Sequence, residues 1–208
     1  MYFFKKVQEV FWLKTVLNTN RCYVGILLSN NNLSAENKSD NYHGSVYTNN
    51  SVKKGKWYWE VTINETNLLF SNFGVGCENS TTNQARPGIE TDGCCILFDG
   101  RVYNNITLVT TVTPFKKNDV VGFALDCENR TLAVYNNGIY VITLDMKTYN
   151  SMFENKPPFY PSYSSYNYRN PNEKVTFNFG YSNFIYSVPN GYLPYCQSEM
   201  NGFTTYII

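Results

Sequence analysis

Gly55-Lys56-Trp57-Tyr58-Trp59-Glu60-Val61 is the stretch whose reading decides the fold. Trp57, Trp59, Val61 and, two residues on, Ile63 fall at strict period 2. A β-strand through them puts two indoles and two β-branched side chains on one face and leaves Tyr58, Glu60 and Thr62 on the other. That is the pattern of a half-buried antiparallel strand, and Gly55 fits a tight turn into it. Glu60 stands out inside an aromatic strand: if buried, its carboxyl must be paired or neutral.

The same alternation continues outward from this strand. Val120–Asp126 and Thr131–Tyr135 read as a pair of strands joined across Cys127–Arg130, and Ile139–Leu144 as the returning strand. Asn137-Gly138 between them is the strongest hairpin signal, because a type I′ turn needs positive φ at both central residues. Cys94–Phe98 reads as a short strand closed by Asp99-Gly100, and Val175, Phe177 and Phe179 as the face of a last core strand. Residues 30–41, 64–72, 78–92 and 163–172 read as connections, with Arg86-Pro87-Gly88 as the turn of the third, and 146–158 as irregular. Many short strands split by Gly, Pro and Asn turns predict an all-β fold, a two-sheet antiparallel β-sandwich. The only helix the pattern admits is a short one at the N-terminus.

Six segments in order carry a family resemblance. The Gly-Lys-Trp-Tyr-Trp-Glu-Val run resembles the core strand of the SPRY domain, a β-sandwich that binds other proteins. Phe73-Gly74-Val75-Gly76-Cys77 resembles the next strand of that family, and Asp119–Asp126 its Gly-Asp-x-Ile-Gly-x-x-Leu-Asp block, with Asn118 where Gly is usual. Asn tolerates the left-handed turn nearly as well. Thr131–Gly138 resembles the strand ending in Asn-Gly, and Phe159-Tyr160-Pro161 the Tyr-Pro step. Phe177-Asn178-Phe179-Gly180, Phe184 and Pro189-Asn190-Gly191-Tyr192 resemble the closing segment. The resemblance runs from about residue 24 to 193 and is nearer the SPRY sequences of bacterial and phage proteins than those of animal ubiquitin-ligase adaptors. It implies a non-catalytic interaction module, with a structural role for Glu60.

Composition agrees and excludes other classes. The 208 residues suffice for one domain with a sizeable core. Aromatic residues make up 17% of the chain and charged residues only 16%, so the surface must be rich in Asn, Ser, Thr and Tyr. An AT-rich genome suffices to account for the bulk of that bias. The net charge of +1 and the absence of a basic stripe argue against nucleic acid as a partner. Six cysteines without a CxxC pair and the lone His43 give no metal-ligand spacing, and the thiols are expected to be reduced. No apolar run is long enough for a membrane span, and no signal peptide is evident, so the expected setting is intracellular or part of a virion.

No catalytic constellation emerges. His43 sits beside Tyr42 and Gly44 in a polar context, the acids Asp92, Asp99, Asp119, Asp126 and Glu128 sit at turns, and Gly74-Val75-Gly76 lacks the third Gly and the helix of a dinucleotide loop. The expected product is therefore no enzyme, with no catalytic residue, cofactor or metal. The chain divides into an arm (1–20) that packs on or docks the domain as helix or edge strand, a SPRY-like sandwich (21–196), and a tail (197–208) in which Thr204–Ile208 reads as an extra strand. Partner-binding residues of a SPRY module lie in loops at one end of the sandwich. By position these are 40–44, 66–72, 82–92 and 162–170, and the candidates within them are Tyr42, Leu68, Arg86, Ile89, Tyr163, Tyr166, Tyr168 and Arg169. Tyr and Arg dominate binding hot spots. The expected partner is a protein or peptide. The alternatives are an assembly component such as a phage virion or tail decoration protein, in which the arm does the docking, and a carbohydrate-binding module using exposed Tyr.

Overall fold

The structure, a computed structural model, describes residues 14–38, 43–66, 71–77, 82, 86–89, 93–104, 106–147, 158–166 and 173–202. The strands are β1 (Leu17–Cys22), β2 (Ile26–Ser29), β3 (Ser34–Asn37), β4 (His43–Thr48), β5 (Lys56–Glu65), β6 (Asn72–Gly76), β7 (Gly93–Leu97) and β8 (Arg101–Asn104). Then follow β9 (Thr107–Thr111), β10 (Val120–Asp126), β11 (Thr131–Asn136), β12 (Ile139–Asp145), β13 (Tyr160–Tyr166), β14 (Lys174–Asn178) and β15 (Leu193–Pro194). They form two sheets. The seven-stranded one runs β1-β4-β13-β6-β7-β8-β9, and the eight-stranded one β12-β11-β10-β5-β14-β3-β2, with β15 added to β5. Every pairing is antiparallel except β15 on β5. The two-sheet sandwich expected from the sequence is thus the architecture observed.

Strand β5 lies at the centre. Trp57, Trp59, Val61 and Ile63 are all buried and face the other sheet, as their period requires. Trp59 stacks on Phe123, its cross-strand neighbour on β10, with ring centroids 5.3 Å apart. Phe73 of β6 meets Phe123 at 5.8 Å and Tyr163 of β13 at 6.1 Å, so one chain of rings joins the two sheets. Tyr195, in the 3-10 helix Tyr195–Gly202, closes the edge against Trp59 at 5.5 Å.

One expectation about this region changes. The opposite face of β5 is not solvated: Tyr58 and Glu60 are 2% and 1% exposed, because residues 184–186 cross it. Tyr58 can lie flat there because Gly122 on the neighbouring strand has no side chain, and an added Cβ would overlap the Tyr58 hydroxyl.

Two segments read as connections are strands. β3 lies inside residues 30–41 and pairs with β14, where the Ser34 and Thr176 hydroxyls meet at 2.8 Å and Ala35 faces the core. The turn before it uses Asn31 and Asn32 at φ 53° and 60°, with the Leu33 N–H donating to the Asn30 carbonyl at 3.0 Å. Asn substitutes for the Gly that would have signalled a hairpin. β13 takes Tyr163–Tyr166 out of the expected 163–172 loop. Its serines pack against other small groups, with Ser164 meeting Ser45 on β4 at 2.7 Å, so the strand is buried despite its polar composition. The signalled turns appear as expected: Asn137 and Gly138 have φ of 51° and 77°, and Asn118 takes φ 71°.

Asp126, at the end of β10, accepts hydrogen bonds from the Asn129 backbone N–H and Nδ2, both at 2.9 Å, and pairs with Lys56 across the strands at 3.0 Å. Burial alone would push its carboxyl up, but the Asn129 donors and Lys56 together outweigh it and hold the group below its ordinary range. A depressed carboxylate stabilises the fold above its unfolded pKa and loses that contribution as pH falls through the folded one. We therefore expect Asp126→Ala to cost about 1–2 kcal/mol at pH 7. The gap from the parent should shrink as the acid is titrated, below about pH 4, in urea melts at several pH values. A gap that is constant with pH would contradict this.

Candidate recognition surface

Strand termini decide which loops share an end. His43 at the start of β4 pairs with Tyr166 at the end of β13, and Ser164 with Asn72 at the start of β6. In the other sheet Lys174 at the start of β14 pairs with Glu65 at the end of β5 and with Glu36 near the end of β3. The strand ends that flank 39–42, 67–70 and 167–172 therefore all point the same way. Charged side chains rim this end: Glu65 bonds Lys117 at 2.6 Å, and Glu36 is paired with Lys38. Beneath it sits Glu173, 2% exposed, which accepts a hydrogen bond from the Ser165 hydroxyl at 2.8 Å. That contact ties the two sides of the 167–172 connection to each other.

The fourth segment, 82–92, departs from the opposite end of β6 and turns back. The Thr82 carbonyl accepts from the Ser45 N–H at 3.0 Å, and the Gly88 carbonyl from the Ile106 N–H at 2.8 Å. Arg86-Pro87-Gly88-Ile89 is the turn that the sequence predicts: the Ile89 N–H donates to the Arg86 carbonyl at 3.1 Å, with Gly88 at φ 81°. This is the arrangement of a type II turn, with Pro in the first and Gly in the second central place. Gly88 rests on the backbone of β7, where a Cβ would approach the Cys95 nitrogen at 3.0 Å. Arg86 and Ile89 are half-buried there.

Of the candidate residues, Arg86 and Ile89 are so placed, and Tyr166 is the last residue of β13 at the shared end. Tyr163 is a correction. It points between the sheets, is fully buried and packs on Phe73, so it cannot touch a partner. Burial, with Glu173 nearby, also pushes its phenol well above the ordinary range. Tyr42, Leu68, Tyr168 and Arg169 lie outside the described residues, as does the 1–13 part of the arm. Sequence reasoning missed Glu173 and the charged rim. The register of Glu36, Glu65 and Lys174 at three strand ends would have pointed to the rim had β3 been recognised.

All six cysteines are free. Burial pushes the Cys22 thiol up to about 11 and those of Cys94 and Cys127 higher still, so they stay protonated and unreactive. His43 lies on β4 opposite Tyr166. Among the described residues no three His, Cys, Asp or Glu side chains cluster as metal ligands, and no helix is long and apolar enough to cross a membrane.

Comparisons with known proteins agree with this geometry. The fly (Drosophila melanogaster) ATP-dependent RNA helicase Ddx1 is 27% identical over 157 residues, covering 76% of this chain but 20% of that protein. The chain thus spans about a fifth of that relative's length. The SPRY domain of human HERC1 superposes with a TM-score of 0.65 at 19% identity, covering 80% of this chain and 99% of that one. The TRIM65 PSpry domain does so with a TM-score of 0.55 at 16% identity, covering 79% and 92%. Both show the same fold. The SPRY domain family model matches residues 56–182, more than half of the sequence. The chain belongs to the SPRY domain family.

Proposed function

We propose that the chain is a non-catalytic recognition module that binds a protein or peptide through the loop end of its sandwich. The observation that carries this reading is the convergence of strand ends. Register brings the flanks of 39–42, 67–70 and 167–172 to one end of a rigid aromatic core. Loops on a stiff scaffold are where binding residues concentrate. Tyr42, Leu68, Tyr166, Tyr168 and Arg169 belong to these loops or border them. Arg86 and Ile89, on the turn that rests on the start of β7, lie towards the other end of that strand and are the outlying members of the candidate set. Tyr brings large contact area at low entropic cost, and Arg brings several hydrogen-bond donors.

The test uses peptides selected from a random display library on the immobilised chain. A triple variant, Arg86→Ala with Tyr166→Ala and Tyr168→Ala, should weaken the selected peptides by about tenfold or more. Thr110→Ala with Thr143→Ala, on the two strands at the far edges of the sheets, should leave them unchanged. Circular dichroism would establish that both variants are folded. Equal affinity in all three proteins would remove the loop end as the site.

A further inference from the structure

We propose that Asn72 and Ser162 together hold an ordered internal water on the outer face of the seven-stranded sheet. Alternation places both residues on that face. Phe73 of β6 and Tyr163 of β13 pack on each other between the sheets, so Asn72, Gly74, Ser162 and Ser164 beside them take the opposite side. Register makes these four into two adjacent cross-strand pairs, Ser164 with Asn72 and Ser162 with Gly74.

The face is closed to solvent at this point. Asn72 is 0% exposed and Ser162 1%. Their neighbours in the same rows, Ser45 and Tyr47 on β4 and Cys95 and Leu97 on β7, are buried as well. Arg21 lies over part of the face, its guanidinium 4.5 Å from the centre of the Tyr47 ring and 4.2 Å from that of Tyr160.

The polar atoms enclosed here are not all satisfied by the protein. Ser164 meets Ser45 at 2.7 Å, which occupies both hydroxyls. The Asn72 Nδ2 and Oδ1 and the Ser162 Oγ have no hydrogen-bonding partner in the chain. Gly74, next to both residues, has no side chain that could pair with them. Buried polar atoms nearly always find a partner, and internal water is the usual one where the protein supplies none.

The chemistry of the atoms selects the occupant. An amide donates through Nδ2 and accepts through Oδ1, and a hydroxyl does either. A cation could use only the acceptors and an anion only the donors, whereas water serves both. Asn72 and Ser162 are diagonal neighbours whose backbones stand about 7–8 Å apart. One water between their side chains bridges that span. It would tie the start of β6 to β13, behind the loop end.

A high-resolution crystal structure should show a water within hydrogen-bonding distance, about 2.7–3.2 Å, of the Asn72 amide and the Ser162 hydroxyl. Independently, NMR in solution should show cross-relaxation between the Asn72 side-chain amide protons and a long-lived water. Ser162→Ala should weaken that signal several-fold, because the water loses one of its holders. Ser34→Ala, at the hydroxyl pair in the other sheet, should leave it unchanged. Density in which Asn72 bonds a protein group instead would overturn the proposal. So would the absence of a water signal at Asn72, or a signal that Ser162→Ala leaves untouched.

Discussion

Trp59→Ala is expected to lower the unfolding free energy by about 3–5 kcal/mol, the range for removing a buried aromatic ring from a packed core. Trp59 is 1% exposed, stacks on Phe123 and receives the edge of Tyr195. Its loss would open a cavity where both sheets and the 3-10 helix meet, and Phe123 would lose the face that orders it against Phe73. Little can collapse into the gap, since the neighbours are held in register by β10 and by residues far along the chain. Trp59→Phe should cost distinctly less, because a ring remains to stack. Urea unfolding followed by circular dichroism measures both. A Trp59→Ala cost below about 1 kcal/mol would mean that the ring chain is not the centre of the core.

The second large effect is expected at Glu60. Its carboxylate is buried on the outer face of β5 and accepts three hydrogen bonds. These come from the Ile185 N–H at 2.8 Å, the Tyr186 N–H at 2.9 Å and the Tyr58 hydroxyl at 3.2 Å. Glu60→Ala strands all three donors, and a broken buried charged network costs about 3–5 kcal/mol. The damage should be local first: residues 181–193 should exchange their amide hydrogens faster while β10 and β11 keep theirs. Glu60→Gln keeps one acceptor oxygen but turns an NH₂ towards a donor, so it should recover only part of the loss. If Glu60→Ala were as stable as the parent, the closing segment would not depend on this carboxylate. Burial, and next the Glu60 charge, also push the Tyr58 phenol well above its ordinary range, so it remains a donor at any physiological pH.

The core was legible because its residues obey period 2. Trp57, Trp59, Val61 and Ile63 face inward as their spacing says, and Asn137-Gly138 turns as its φ preference says. What stayed hidden was polar structure. Ser164 and Ser165 are buried in β13, and Ser34 in β3, because small polar side chains can satisfy other polar groups nearby, as the Ser45–Ser164, Ser165–Glu173 and Ser34–Thr176 pairs do. Hydrophobic periodicity cannot register such strands, so Tyr163 was read into a loop. The second face of β5 was missed for a related reason. What covers it, the turn-rich segment around Ile185 and Tyr186, attaches through backbone N–H groups that carry no sequence signal. Of the four expected loops, the flanks of three share an end because a loop inherits its place from the strands beside it, whereas 82–92 follows the other end of β6.

Strand β5 has an implication for synthesis. Its partners are residues 120–126 on one side and 174–178 on the other, with 193–194 added at its start. A chain emerging from the ribosome thus makes its two central indoles early and waits more than a hundred residues for the strand that seals their open side. Native pairing of such long reach is slow, and the waiting strand is sticky. The stretch from Lys174 to Tyr195 is the one that completes the centre, so chains stopped short of it should be aggregation-prone out of proportion to the few residues they lack.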